Sequence, residues 1–470
     1  MIISDKKRPN ILLVMTDQMR STALGCAGVE DVISPNLDEF SLSGSRFTRA
    51  IANSPACSPS RANTITGLHT LTHQLVNNDV QLRTDIKSLA HCLNDLGYRS
   101  GFIGKWHMDC ADRGAFIPPG PRRQGFDDFW AGYNCNHRYF DAYYYLNDNP
   151  EPVWVDGYEP DKQTDLAIDY ISKKTKADDP FFLFLSYGPP HCPYRQVPQK
   201  YLDMYPVESI KLKPNAVDTT DVDKQVIAGY YAHITALDDS FGRLLNSIEE
   251  IGIRNDTIII FTSDHGDMLY SQHHGWKSKP WSESVGIPMI VSWPQKIPGQ
   301  RVSDGLVSLV DLMPTLLGLV NADVPSELEG KDLSELFLGD ETASPESVFI
   351  NFYVIPDFFS YTEWRGVITK QYTYAAFRNQ PWLLYDDKND PHQLDNLVES
   401  RKHANVLTNM QAELEEWLTV LDDPFESSAE VAAKYYPGSV GGVVHSYENE
   451  KIKAGKQKRR VEREDGKRRM

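Results

Sequence analysis

Short runs of apolar residues, each closing on a polar cluster, recur along the chain. Ile11-Leu12-Leu13-Val14-Met15 closes on Thr16-Asp17-Gln18, and Thr257 to Phe261 leads to Ser263-Asp264-His265-Gly266-Asp267. Tyr98 to Gly104 delivers Lys105-Trp106-His107, and Phe181-Phe182-Leu183-Phe184-Leu185 leads to Tyr187-Gly188-Pro189-Pro190-His191-Cys192-Pro193. Continuous apolar runs of this length suit strands buried on both faces. Helical spacing appears between them, at Asp85 to Gly97, Asp161 to Lys174 and Asp221 to Ile251. Strands alternating with helices predict an α/β fold: a large mixed, mainly parallel sheet sandwiched by helices. Ligands of such sheets gather outside the C-terminal strand edges, where these polar clusters fall.

From about Ser334 the pattern shifts to shorter strands, Val348 to Tyr353, Trp364 to Thr369 and Tyr372 to Phe377. Leu384 to Pro391 reads as a turn, and His403 to Leu421 as a helix. This divides the chain into residues 1–333, 334–425 and a charged remainder, 426–470, whose end from Lys451 is nearly free of hydrophobes and expected to be mobile. Between Gly125 and Asp148, Tyr133, Tyr139, Tyr143, Tyr144 and Tyr145 are interleaved with Asn134, Asn136, His137 and Arg138. No period there is long enough for an element, so a loop or insertion is expected. Its tyrosines suit either a sugar-binding rim or ordinary core.

Composition narrows the function classes. The 470 residues are 41% hydrophobic and 24% charged, as in a soluble globular protein. A formal net charge of -17 argues against nucleic acid or an anionic membrane as partner, so an anionic substrate needs a local positive site. No apolar run approaches a membrane span, and Met1 to Asn10 is polar and basic, unlike a secretory leader. The expected location is therefore the cytoplasm, or the periplasm or outside if a leader has been trimmed. Six cysteines are too sparse for a disulfide scaffold, and all but Cys57 read as small buried hydrophobes.

Cys57 opens the stretch Cys57-Ser58-Pro59-Ser60-Arg61, with Thr66-Gly67 following. Pro59 suits a first helical turn and Ser58 a cap, which would set Cys57 against the free N–H groups of a helix start. Such a start attracts anions. Asp17 and Asp264, if their strands are neighbours, would form a divalent-cation cage with His265 and Gln18 nearby. Lys105 and His107, two apart on an extended segment, point the same way.

These blocks together resemble the formylglycine-dependent type I sulfatases of the alkaline phosphatase superfamily, and most closely those active on polysaccharides. The resemblance covers the cysteine block, Gly104-Lys105-x-His107, Pro189-Pro190-His191-x-Pro193, Asp264-His265-Gly266, Lys277 and the late phrase Tyr385-Asp386 to Asp390-Pro391. Thr64 departs from it, standing where leucine is usual. The resemblance implies a small antiparallel C-terminal sheet with a helix, and conversion of Cys57 to 3-oxoalanine (formylglycine) by a maturation enzyme. Its hydrate would attack sulfur beside one divalent cation held by Asp17, Gln18, Cys57, Asp264 and His265. Arg61 would steady the nucleophile, and Lys105, Lys277 and His191 would surround the sulfate, with His191 or Lys277 protonating the leaving group. His107 would then deprotonate the second hydroxyl. Calcium is the expected cation, with manganese or magnesium as alternatives because an amide and an imidazole stand where many relatives have Asp and Asn. The expected activity is sulfate-ester hydrolysis on a saccharide. The same Asp-Gln and Asp-His pairs occur in choline sulfatases and phosphonate monoester hydrolases, which are the alternatives.

Overall fold

A computed structural model describes residues 8–109, 112–177, 179–353 and 362–435. Cys110 and the expected mobile tail from Lys451 lie outside these residues. The larger sheet is built from β1 (Asn10–Asp17), β2 (Ser45–Ile51), β3 (Arg99–Lys105), β4 (Phe129–Tyr133), β5 (Tyr143–Leu146), β6 (Pro152–Trp154), β7 (Phe181–Pro190), β8 (Thr257–Ser263), β9 (Gly286–Ile287), β10 (Met289–Ser292) and β11 (Arg301–Ser308). Its spatial order is β11-β2-β10-β8-β1-β7-β3-β4-β5-β6, with β9 paired to β2. The centre, β8-β1-β7-β3-β4, is parallel throughout. Antiparallel pairings enter only on the flanks, where β10 meets β8 and β2 and where β5 meets β4 and β6.

The register of the central strands decides where the polar clusters end up. Ile11 stands opposite both Phe182 and Ile258; the β8 register carries Thr16 to Ser263, and a shift in the β7 register after Met15 sets Asp17 against Pro190 at one edge. Successive side chains alternate between two cores. Ile11, Leu13 and Met15 join one with Ala62, Leu93 and Leu316, while Leu12 and Val14 join the other with Ala167, Leu237 and Phe241. The second face is covered by the helices Glu159–Ala177 and Asp221–Ile251. The longer one starts at a capping box between Thr220 and Asp223 and stops at Gly252, in left-handed conformation with φ 82°. The first face carries the helices Cys57–Thr66, Leu89–Asp95 and Leu312–Leu319. No helix among the described residues is long and apolar enough to cross a membrane.

The smaller sheet has β12 (Ser347–Phe352), β13 (Trp364–Thr369), β14 (Tyr372–Phe377) and β15 (Gln380–Asp386), all antiparallel. One face takes Met410 and Leu414 of the helix Ala404–Val420, and the other packs on Met268, Trp281 and Leu306 of the larger unit. Leu336 and Phe337, just past the division expected at 333, belong to the core of the larger unit.

Local expectations need correction at three places. The tyrosine-rich block is not a structureless loop, because β4 and β5 lie in it as short strands paired through Ala131 with Leu146 and Gly132 with Tyr145. Residues 384–386 finish β15, and the turn follows at Asp386–Asp390. The helix at Cys57 begins at that residue with Ala56 as its cap, and Ser58 makes no cap. Pro59 is tolerated inside the first turn because the N–H groups there have no helical partner anyway.

Gly104 shows how tightly β3 and β7 approach. Its φ is +105°, and an added Cβ would lie 1.9 Å from the carbonyl oxygen of Ser186. Gly104→Ala is expected to cost roughly 3 kcal/mol through backbone strain and this clash. Denaturant unfolding that matched wild type would disprove the close approach.

Candidate active site

The polar ends of β1, β3 and β8 meet the start of the Cys57–Thr66 helix at one buried point. Cys57 Sγ lies 3.3 Å from His265 Nε2, 3.7 Å from Asp17 Oδ1, 3.7 Å from Lys105 Nζ and 3.1 Å from Lys277 Nζ. Arg61, one helical turn after Cys57, follows on the same face. Its Nε donates to Asp264 Oδ2 at 3.0 Å, one terminal nitrogen lies 3.4 Å from Asp17 Oδ2, and the other donates to Lys105 O and Ser186 Oγ at 2.7 and 2.6 Å. Lys105 is paired directly with Asp17. Thr64 donates back to Ser60 O at 2.8 Å, which satisfies its hydroxyl inside a wholly buried helix.

Gln18 occupies a left-handed turn after β1, with φ 71°. Its N–H donates to Asp264 Oδ1 at 3.0 Å, its amide oxygen accepts from Lys277 at 2.8 Å, and its amide nitrogen donates to Asp267 at 2.7 Å. The side chain thus braces Lys277 at the rim of the cluster. Asp267 also accepts from Tyr194 OH at 2.7 Å. Neither Asp267 nor Tyr194 could be singled out in the sequence, because neither carries a spacing signal.

The two further histidines arrive from β3 and β7. His107, at φ 53°, donates its N–H to Asn134 O at 2.7 Å, and its Nε2 lies 3.8 Å from Asp79 Oδ1. His191 Nδ1 lies 2.9 Å from Cys192 O, and the ring stacks on His137 at 4.1 Å between centroids and 7° between planes. Tyr139 OH donates to His191 O at 2.7 Å and Gly188 O at 3.1 Å. Tyr133 and Tyr139 are core residues, as is most of the tyrosine block, so its expected alternative as a sugar rim fails for them. A phenol whose hydroxyl anchors a loop carbonyl is more useful inside, bracing that loop.

Charge and burial pull against each other throughout the cluster. Burial and Cys57 push Asp17 upward, but Lys105, His191 and Lys277 hold its carboxyl well below the usual range. Asp264 is shifted up by burial and by the charge of Asp17. Burial also opposes ionisation of the Cys57 thiol, yet Lys105 and Lys277 bring it well below its ordinary value. Lys277 is buried, which disfavours its charge, but Cys57 and Asp17 raise it.

This donor set suits a cation. Ligand atoms of Asp17, Cys57, Asp264 and His265 all lie within 4.8 Å of one another, and all four residues are buried. His265 Nδ1 lies 2.9 Å from Gly266 O, a partner that only an N–H can serve, so Nε2 turns its lone pair toward the carboxylates. Asp264, whose ionisation the charge of Asp17 opposes, would be relieved by a positive ion between the two carboxylates.

The chain is similar to known proteins over most of its length. The model of the sulfatase family matches residues 9–322, and that of the N-sulphoglucosamine sulphohydrolase C-terminal region matches residues 272–419. The chain is 36% identical over 434 residues to an ulvan-active sulfatase of Formosa agariphila, covering 91% of this chain and 84% of that protein. It is 28% identical to an endo-4-O-sulfatase of Bacteroides thetaiotaomicron, over 90% of this chain and 94% of the other. A solved structure from Bacteroides thetaiotaomicron, reported with the metabolism of multiple glycosaminoglycans, superposes with a TM-score of 0.82 at 27% identity. It covers 92% of this chain and all of its own.

Behind the site, Arg20 ties the loop after β1 to the loop after β8. It pairs with Glu30 and donates to the carbonyl oxygens of Asp267 and Met268 at 3.4 Å. Burial alone would raise Glu30, but Arg20 brings it down to about 2 from an ordinary 4.5. A depressed carboxylate contributes stability above its unfolded pKa and loses it as the pH falls toward the folded value. Glu30→Gln is therefore expected to cost about 3 kcal/mol at neutral pH, with the gap to wild type narrowing as pH drops from about 5 toward 2. Denaturant unfolding across that range checks it, and a gap independent of pH would count against the pair.

Proposed function

The chain belongs to the sulfatase family, which are sulfuric ester hydrolases, and on that premise we propose that it hydrolyses a sulfate ester carried by a saccharide, with position 57 matured to 3-oxoalanine (formylglycine) and one divalent cation, Ca2+. The observation that carries this reading is the convergence of Lys105 and Lys277 on Cys57, beside the Asp17, Asp264 and His265 donors. When present, the aldehyde hydrate and the cation would supply an oxygen nucleophile beside a sulfate whose charge is partly neutralised.

The chain's own residues then divide the work. Lys105 and Lys277, on two sides of position 57, bind the anionic oxygens of the sulfate and stabilise the charge that grows there. Lys277 is the ammonium placed to give a proton to the departing sugar oxygen, while His191, its Nδ1 serving Cys192 O and its charged form disfavoured by burial and by Lys277, is the other candidate donor only once protonated at Nε2. Burial disfavours charge on His107, but Cys135 and Asp79 raise its pKa to about 10, so the ring must first give up a proton before it can take one from position 57 and let the aldehyde re-form. Arg61 is assigned to Asp17 and Asp264, whose carboxylates it holds in place, in addition to any contact with the nucleophile.

A hard cation fits the two carboxylates, while the imidazole of His265 keeps Mg2+ and Mn2+ as alternatives. Conversion of Cys57 requires a formylglycine-generating enzyme as partner. The ulvan-active and endo-4-O relatives support a saccharide as the carrier of the sulfate.

Peptide mass spectrometry over residue 57 is expected to find the mass loss that accompanies conversion of thiol to aldehyde. Converted protein should cleave an aryl sulfate faster than an aryl phosphonate, and the opposite order would favour the phosphonate alternative. Cys57→Ala is expected to lower kcat by about 10^4-fold or more without a change in folding, and turnover near wild type would refute a nucleophile at that position. Chelation should remove most of the activity and calcium should restore it; restoration by Mn2+ or Mg2+ alone would reassign the ion.

A further inference from the structure

His107 does not stand alone at the end of β3. The geometry points to Asp79 as a positioning residue for His107, with Arg113 clamping the carboxylate, so that His107, Asp79 and Arg113 form one chain of contacts. This rests on the sulfatase reading for the task of His107, and on local geometry for its orientation.

Asp79 Oδ1 is the carboxylate oxygen near His107 Nε2, at 3.8 Å, and both side chains are largely buried, at 3% exposure for His107 and 16% for Asp79. That separation exceeds a hydrogen bond, but such contacts between catalytic groups often tighten only when substrate is bound. Neither ring nitrogen of His107 completes a hydrogen bond within ordinary distance among the described residues, and the groups that favour its charge are Cys135 and Asp79. Arg113 holds Asp79 at two points, Nε to Oδ1 and a terminal nitrogen to Oδ2, both at 2.7 Å. A two-point guanidinium contact fixes the plane of the carboxylate as well as its position.

The backbone around the pair is committed as well. Asp79 and His107 are both non-glycine residues in left-handed conformation, at φ 65° and 53°. Such conformations are sparsely populated and persist only where the surroundings impose them. The preceding residues supply that imposition. Asn78 Oδ1 accepts from Ser58 N–H at 3.0 Å, tying the Asp79 loop to the first turn of the nucleophile helix, and Asn77 Nδ2 donates to Tyr353 O at 2.8 Å. The carboxylate is thus referenced to the same helix that carries position 57. A carboxylate so placed selects the Nε2–H tautomer and directs the other ring nitrogen to its own task.

The test is Asp79→Asn in wild-type and His107→Ala backgrounds, assayed on an aryl sulfate with the aldehyde content of position 57 matched by peptide mass spectrometry. In the wild-type background kcat should fall about 10- to 100-fold with KM within about twofold, and Asp79→Glu should recover part of the loss. In the His107→Ala background the same substitution should change kcat by less than about twofold. Full loss in both backgrounds, or no loss in either, overturns the assignment. Nitrogen NMR of labelled histidine reads orientation without turnover: His107 should carry its proton on Nε2 in wild type and lose that preference in Asp79→Asn. If wild type cleaves no sulfate ester, the sulfatase reading fails while the NMR comparison still decides the positioning role. If Asp79→Asn does not fold, Arg113→Gln frees the carboxylate without removing it, and it should lower kcat and disturb the His107 signal in the same sense; unchanged values would overturn the proposal.

Discussion

Two carboxylates, Asp17 and Asp264, are held side by side in the buried interior, and the rest of the molecule is arranged to make that tolerable. Each is wholly buried, and neither could remain charged there without a matching positive charge. Arg61 spans both, Lys105 pairs with Asp17, and Lys277 stands across Cys57. The cost of burying these groups falls when they neutralise one another, so the cluster forms as a whole. Such a grouping has little to recommend it as a stabilising device, since apolar residues of similar volume would do as well. Its presence at the edge of a parallel sheet is better understood as preparation for an anion.

The sheet supplies the rigidity that this arrangement demands. β8, β1, β7 and β3 lie next to one another with Ile11, Phe182 and Ile258 in line, and this common register ends the strands within reach of a single point. Cores on both faces leave the strands no freedom to slip, because a shift by one residue would exchange every side chain between the two. What the strands cannot supply comes from helix and loop. The Cys57–Thr66 helix brings Cys57 and Arg61 on one face, and the stretch after β8 brings Lys277 back over the top.

Around this centre lies a layer of residues that touch no substrate in the proposed reaction yet govern those that would. Gln18 sits between Lys277 and Asp267, His137 stacks on His191, and Tyr139 anchors the carbonyl of His191. Arg20 and Glu30 join the loops after β1 and β8 from behind. Supporting shells of this kind set orientation and local electrostatics, and their loss commonly appears as lost rate with the fold intact.

Much of this was legible before any coordinates. The apolar runs mark the central strands to within a few residues, because a strand buried on both faces leaves an uninterrupted hydrophobic signal, and the helix over Asp221–Ile251 is bounded by its own cap and stop. The candidate site residues stand in recognisable local blocks for the same reason: each block is a strand end or helix start whose chemistry is short-range. Other features had no local signal. β4 and β5 are too short to show a period. Asp79, Asp267, Tyr194 and His137 are ordinary polar residues until folding sets them against His107, Gln18 and His191. The amino-acid order by itself determined which side chains could serve as nucleophile, cage and anion clamp. Only the tertiary structure decided which residues orient them, since orientation depends on contacts between segments that sequence spacing does not encode.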